Sequence, residues 1–234
     1  MSGDLAEEVL LAALPARALR SYEAVVSTGS AAHAWASDDA PDGAVVVAGH
    51  QLSPRGHAGR PLSLAAGRGL GFSLVLRPDL PAEREGWLYT LLLVGLADTF
   101  GPEATIRWPD EVVHDGAMVA TVGVTTRLQE GGLEWAIADV MVPLAEPPRA
   151  ELLGRLLDSV DARADAPASE VQGEYERRCT TIGERVRARL RAGTGPSLEG
   201  TGTATLDDGA LVLETADGRK AAVRPQDVRR LERV

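Results

Sequence analysis

A single lysine, Lys220, serves a chain of 234 residues, so no lysine chemistry is available to residues 1–219. Positive charge is carried almost entirely by arginine. High Ala, Arg, Gly and Val with little Lys is also what biased base composition produces, but the chemical consequence stands. Acids outnumber bases 34 to 24, a net charge of −10, which argues against the basic surface that nucleic-acid binding needs. A single cysteine, Cys179, excludes an internal disulfide and a Cys-rich zinc site. No apolar run approaches the length of a membrane span. Asp4, Glu7 and Glu8 sit where a signal peptide would carry positive charge. The expectation is a soluble, cytoplasmic protein with neither nucleic-acid nor membrane partners.

What is present suffices for a large core. Apolar residues make up 44% and charged residues 25%, ordinary values for one large domain or a large one plus a small one. Leu5, Val9, Leu10 and Leu14 have helical spacing and stop at Pro15, predicting a helix over 4–14. A short strand over 22–26 runs into Ser27-Thr28-Gly29-Ser30 and an Ala-rich segment. Ser27-Thr28 or Ser30 is the helix cap there. The Val run predicts a buried strand over 43–48. Further strands are predicted over 70–77 and 133–142, and a strongly apolar helix over 87–100. An amphipathic helix follows over 151–163, then a break at 167–169 and a helix over 171–178. From there the pattern changes to short strands at 184–190, 200–206, 210–214 and 220–223. Asp-Gly turns at Asp208-Gly209 and Asp217-Gly218 separate them, which suggests a small barrel.

Two stretches carry chemistry. In 107–123, Trp108-Pro109-Asp110-Glu111 leads into a Val-Val run, and an Asp115-Gly116 turn leads into a second apolar run. That is a hairpin with acids and Arg107 at its mouth. In 49–60, Gly, Pro, His and Arg without apolar periodicity make a loop. Backbone N–H groups and arginines there suit a phosphate or carboxylate cradle, and a solvated basic loop has the same composition.

The 107–123 stretch resembles the K-W-P-N-D-(V/L)…G-x-K-(V/L)-A-G-I-(L/V) segment of biotin–protein ligases. The chain follows that frame from Arg107-Trp108-Pro109-Asp110-Glu111-Val112 to Gly116-Ala117-Met118-Val119-Ala120-Thr121. The loop is similar to the family's Q-T-x-G-R-G-R-x-G-R motif at Gln51, Arg55, Gly56, Gly59 and Arg60. Pro54 replaces the first Gly and His57 the middle Arg. Ser27-Thr28 resembles the family's S-T-N turn, without its Asn. Residues 70–78 follow the family's L-x-x-S-(L/V)-(V/L)-L-R-P run. Tyr175, Arg178 and 182–186 resemble the approach to its SH3-like C-terminal domain. The resemblance spans roughly 20–234. It implies an α+β fold: a biotin/lipoate ligase-like domain, a mixed sheet flanked by helices, over 1–178, and an SH3-like barrel over 179–234. A separate N-terminal helix-turn-helix domain is not expected.

In such ligases the carboxylate of biotin attacks Mg-ATP, and a carrier-domain lysine then attacks the adenylate. The resemblance therefore implies catalytic Arg107 and Glu111. It implies ligand binding by Ser27, Thr28, Gln51, Arg55, Gly56, Gly59, Arg60, Trp108 and Asp110, and Mg²⁺ on Glu111 and Asp110. ATP, Mg and biotin are the cofactors if the chain is active, and possible absence of any cofactor goes with inactivity. The family's chemistry is altered at five places. Asn is missing from the S-T-N turn, and the G-R-G-R loop is changed. The first motif Lys becomes Arg107 and the second becomes Met118. The G-x-G-x-N strand becomes Ile137-Ala138-Asp139, with Met141 near the Asn position. Side chains at 137–139 are expected to crowd the biotin ring, and Asp139 is expected to be unfavourable there unless it faces out. The implied function is a ligase-like protein with weak or absent activity. It would bind a ligand or the biotin carrier domain of a carboxylase. The alternative is an active ligase for biotin or a related acyl acid. Homodimer formation through a sheet edge is left open.

Overall fold

The computed structural model describes residues 3–146, 148–191 and 195–234. The chain divides into two compact units, one of residues 1–82 and 119–158 and one of residues 83–118 and 159–234.

The first unit begins with a 3-10 turn, Gly3–Leu5, and helix α1 (Glu7–Ala13). One continuous helix is the sequence expectation, but the backbone leaves helical geometry at Ala6 (ψ 148°). The cause is tertiary. The Asp4 carboxylate accepts hydrogen bonds from the backbone N–H of Arg149 and from its guanidinium, each at 2.7 Å. That contact holds the Asp4 carboxyl below its usual range.

Strand β1 (Leu19–Val25) feeds helix α2 (Thr28–Ala36), which returns to β2 (Val45–Gln51) as a parallel neighbour. β3 (Leu70–Leu76) is antiparallel to β2. β6 (Ala117–Gln129) and β7 (Gly132–Val142) complete the order β1-β2-β3-β7-β6. The sheet is therefore mixed. Alanines of α2 set the spacing to it: Ala32 and Ala36 pack with Ala40, Ala44, Val46, Val75, Trp135 and Ile137 in one buried cluster. Small residues bring the helix close to the sheet, and Trp135 fills the remaining depth. Arg20 stacks on Trp35 at 4.2 Å, covering the outer side of the helix.

The second unit is built on α3 (Trp87–Phe100), whose span matches the sequence expectation because nearly every residue in it is apolar and buried. β4 (Thr105–Arg107) and β5 (Glu111–His114) form a hairpin across a cis Trp108–Pro109 bond. Asp115 (φ 50°) and Gly116 (φ 74°) then turn the chain into β6, the paired positive φ angles of a tight hairpin turn.

Helix α4 (Arg149–Ala164) precedes α5 (Ala168–Arg178). Two arginines from these helices, Arg163 and Arg178, grip Asp98 near the end of α3 at 2.6 and 3.0 Å. A carboxylate there opposes the helix dipole, so the two cations offset an otherwise poor placement. The last segment is an antiparallel sheet of β8 (Arg185–Leu190), β9 (Leu198–Thr205), β10 (Leu211–Glu214), β11 (Lys220–Val223) and β12 (Val228–Arg233), in the order β11-β10-β9-β8-β12. This is an SH3-like module, open between β11 and β12 among the described residues.

Candidate functional site

The pocket with chemistry in it lies wholly in the first unit, where the start of α2 meets the sheet. It encloses about 350 Å³ and is lined by Ser27, Gly29, Ser30, His33, Arg55, Thr125, Ile137 and Asp139. Strand alternation selects the sheet residues. Trp135, Ile137, Asp139 and Met141 point to one face of β7. Register sets Ile137 between Val75 and Thr125, and Asp139 between Ser73 and Gly123. Gly123 leaves its place on that face empty of side chain. A Cβ there would lie 2.9 Å from the carbonyl carbon of Gly56, so the 54–62 loop can rest directly on β6.

That loop closes on itself. The Gly56 N–H donates to Arg60 O at 2.9 Å and the Leu62 N–H donates to Pro54 O at 3.1 Å. Ala58 (φ 53°) and Gly59 (φ 70°) reverse the chain between them. Arg55 is exposed at the rim, while His57 is buried at 1% exposure.

At the α2 end, Ser27 is the cap: its Oγ accepts from the Ser30 N–H at 3.1 Å. Of the two registers open in the sequence, this is the Ser27-Thr28 one. Gln51 Oε1 accepts from the Thr28 N–H at 2.9 Å, and Gln51 Nε2 points to Met141 Sδ at 3.7 Å. Gly71 makes room for this, since a Cβ there would lie 2.2 Å from Gln51 Nε2.

Asp139 faces into the pocket rather than outward. Its Oδ1 accepts from the Ser73 hydroxyl at 2.6 Å, and the same Ser73 oxygen lies 2.8 Å from Thr28 Oγ1. A hydroxyl has one proton to give. With Asp139 ionised, Ser73 gives its proton to the carboxylate and accepts from Thr28, which orients a short polar chain from α2 through β3 to β7. Burial pushes the Asp139 carboxyl up to about 6, and the Ser73 hydrogen bond offsets part of that. His33 stands edge-on to Trp135 with ring centroids 4.9 Å apart. The Trp135 indole N–H is buried without a protein acceptor.

The residues singled out in the sequence fall in two places. Ser27, Thr28, Gln51, Arg55, Gly56, Gly59 and Arg60 belong to the first unit. Of these Ser27 and Arg55 line the pocket. Thr28 and Gln51 are buried behind it, Gly56 is a buried residue of the loop, Gly59 is exposed and Arg60 half-buried. Arg107, Trp108, Asp110, Glu111 and Met118 belong to the second unit. Arg107 Nη1 pairs with Glu111 Oε2 at 2.9 Å. Trp108 is 1% exposed, its indole N–H donating to Gly209 O and its backbone N–H to Thr181 Oγ1, both at 3.0 Å. Asp110 is 3% exposed. Among the described residues no three His, Cys, Asp or Glu side chains gather as a metal cluster, and no helix is long and apolar enough to cross a membrane.

Gly29, Ser30, His33, Thr125, Ile137 and Asp139 complete the pocket wall without having been picked out as binding residues from sequence. The available signal was the altered G-x-G-x-N strand together with the alternation of Thr121, Gly123 and Thr125 on β6.

No protein-family profile matches the chain. Among individual relatives, it is 27% identical over 233 residues to the bifunctional ligase/repressor BirA of Bacillus subtilis, covering 85% of this chain and 70% of that protein. It is 28% identical over 239 residues to the biotin–[acetyl-CoA-carboxylase] ligase of Mycobacterium tuberculosis, covering 89% and 88% respectively. The biotin protein ligase of Aquifex aeolicus in complex with biotin and ATP shares the fold with a TM-score of 0.72 at 19% identity, over 93% of this chain and 99% of that one. A biotin protein ligase-like protein of unknown function from Silicibacter sp. TM1040 matches with a TM-score of 0.66 at 16% identity, over 88% and 94%. Sequence relatives and fold agree: the chain is similar in sequence to biotin–protein ligases and has the biotin protein ligase fold.

Proposed function

We propose that this protein keeps the ligase scaffold, lacks efficient ligase activity, and works by binding a small acyl ligand or a biotin carrier domain. The observation that carries this reading is Asp139. A carboxylate and the neighbouring Ile137 project into the pocket from the strand where the family's motif has glycines. Backbone bare enough to lie against a ring is replaced by two side chains, one of them charged.

The cation losses point the same way. Both steps of the family reaction develop or relocate negative charge, which placed cations stabilise. Met118 carries none. Arg107 keeps a charge but as a planar fork, and one nitrogen of that fork is paired with Glu111. Removing one charge-stabilising donor costs about 10²–10³ in rate. The same salt bridge bears on Mg²⁺. With Glu111 held by Arg107 and Asp110 buried, the pair suits a fixed ion pair better than a metal site. On this reading residues 1–178 carry the binding function and residues 179–234 form an accessory module.

The second reading, an active ligase for another acyl acid, is favoured by the formed pocket itself, with Arg55 at its rim. The experiment is to mix the protein with Mg-ATP, biotin and a carrier domain, following pyrophosphate release and carrier mass. Carrier association without turnover is the expected result. Biotinylation at a normal ligase rate would sink the proposal.

A further inference from the structure

The pocket's charges specify a ligand different from a neutral ring. Its lining has one carboxylate, Asp139, one permanent cation, Arg55, and His33 as the remaining titratable group. Ser27, Ser30 and Thr125 add hydroxyls, and Ile137 is the apolar wall beside Asp139. Asp139 is set by structure on three sides: Ser73 donates to one oxygen, Gly29 closes against both, and β7 fixes the backbone. Nothing in the lining opposite it is a permanent cation except Arg55, which is exposed at the rim and donates to Gly59 O at 3.4 Å.

We propose that this pocket selects a small zwitterion, an ω-amino carboxylic acid whose ammonium group sits on Asp139 and whose carboxylate meets Arg55. A desolvated carboxylate is costly unless a cation or good donors reach it. An ammonium group supplies both charge and three donors. A methylene spacer passes Ile137 without placing a polar group on it. A plain amine would meet Arg55 at the rim with like charge, and a plain carboxylic acid would leave Asp139 uncompensated. The burial that raises the Asp139 carboxyl also makes a cationic partner more valuable there, because attraction strengthens as water is excluded.

The inference rests on the small-ligand branch of the reading above. Its test is calorimetric titration of the intact protein with four probes: 6-aminohexanoate, hexanoate, hexylamine and biotin. 6-Aminohexanoate is expected to bind at least about tenfold tighter than hexanoate, the scale on which loss of one member of a desolvated charge pair acts, and about two- to fivefold tighter than hexylamine, because Arg55 is exposed. Asp139→Asn should erase its advantage over hexanoate, and Arg55→Gln its advantage over hexylamine. Circular dichroism melts establish that both variants are folded. Arg55 is exposed, so its arm survives even if Asp139→Asn unfolds. The inference is overturned if biotin binds more tightly than 6-aminohexanoate, if hexanoate binds equally well, or if no probe binds at millimolar concentration. The carrier-mass assay separates the two failures. Normal biotinylation removes the underlying reading, whereas a silent carrier assay with no binding of 6-aminohexanoate removes this inference alone.

Discussion

Gly29 in the first turn of α2 and Asp139 on β7 compete for one space: a Cβ at position 29 would lie 2.5 Å from Asp139 Oδ1 and 2.7 Å from Oδ2. The glycine's backbone is helical, so space rather than φ requires it. Gly29→Ala should therefore destabilise the protein by about 1–3 kcal/mol through overpacking. In an Asp139→Ala background the same change should be neutral or stabilising by about 0.5–1 kcal/mol, because alanine is the better helix former. Urea denaturation of the four proteins of this cycle measures the coupling. Additive effects would show that the two positions do not share that space.

Asp139 also sets a pH dependence. Its folded carboxyl lies at about 6 against an ordinary 3.8. Between these values the folded state holds a proton that the unfolded state has lost, so stability falls as pH rises through the window. The gap, at ~1.4 kcal/mol for each pH step, comes to on the order of 3 kcal/mol. Asp139→Asn should be more stable than the parent near pH 7, with the advantage disappearing below about pH 4. His33 and Arg55 line the same pocket. His33 is a second ionisable side chain in that wall, so the comparison is best made in a His33→Gln background. An advantage that does not change between pH 4 and 7 would contradict the assignment.

How much of this was legible from the chain depends on where each element's cause resides. The apolar run of α3 and the Asp115-Gly116 turn carry their causes locally, and both spans were readable. β2 extends past its Val run to Gln51 because it pairs with β1 as far as Val25↔Gln51, a tertiary cause with no local trace. β12 is Val-Arg-Arg-Leu-Glu-Arg, four charges in six residues, and looks like solvated chain. It is a strand because it pairs with β8, with Glu232 answering Arg189 at 2.8 Å. The pocket shows the same division. Ser27 and Arg55 lie in motifs, whereas the inward direction of Asp139 depends on β7 parity, since β7 is buried on both faces and offers no polar alternation to read.

Trp108 distinguishes a ligand-binding aromatic from a structural one. Its indole N–H and backbone N–H are both used, on Gly209 and Thr181. Trp108→Phe should cost about 1–3 kcal/mol by leaving a buried carbonyl unpaired and a gap beside it. Thr181→Val should cost about 1–3 kcal/mol by orphaning the Trp108 N–H. Neither change should alter binding of pocket probes once the proteins are compared well below their melting temperatures. Loss of probe binding in Thr181→Val with an unchanged melting temperature would argue that this anchor serves the site instead.

Restoring the family's chemistry gives the most direct check on the proposed loss of ligase activity. If the missing cation were the sole defect, Met118→Lys alone would recover biotin-dependent pyrophosphate release by about 10²–10³. The pocket argues otherwise, because a placed cation accelerates only a substrate that is already seated. Ile137 and Asp139 line the pocket, and on the proposed reading they occupy the wall where the ring would lie. Met118→Lys should therefore gain little by itself, and Ile137→Gly with Asp139→Gly should gain biotin binding without fast turnover. The three changes together should give turnover well above the product of their separate effects. Pyrophosphate release and biotin titration on the same four proteins report the two quantities independently. A large gain from Met118→Lys alone would mean that biotin fits the present pocket, and the role assigned to Asp139 would then fall.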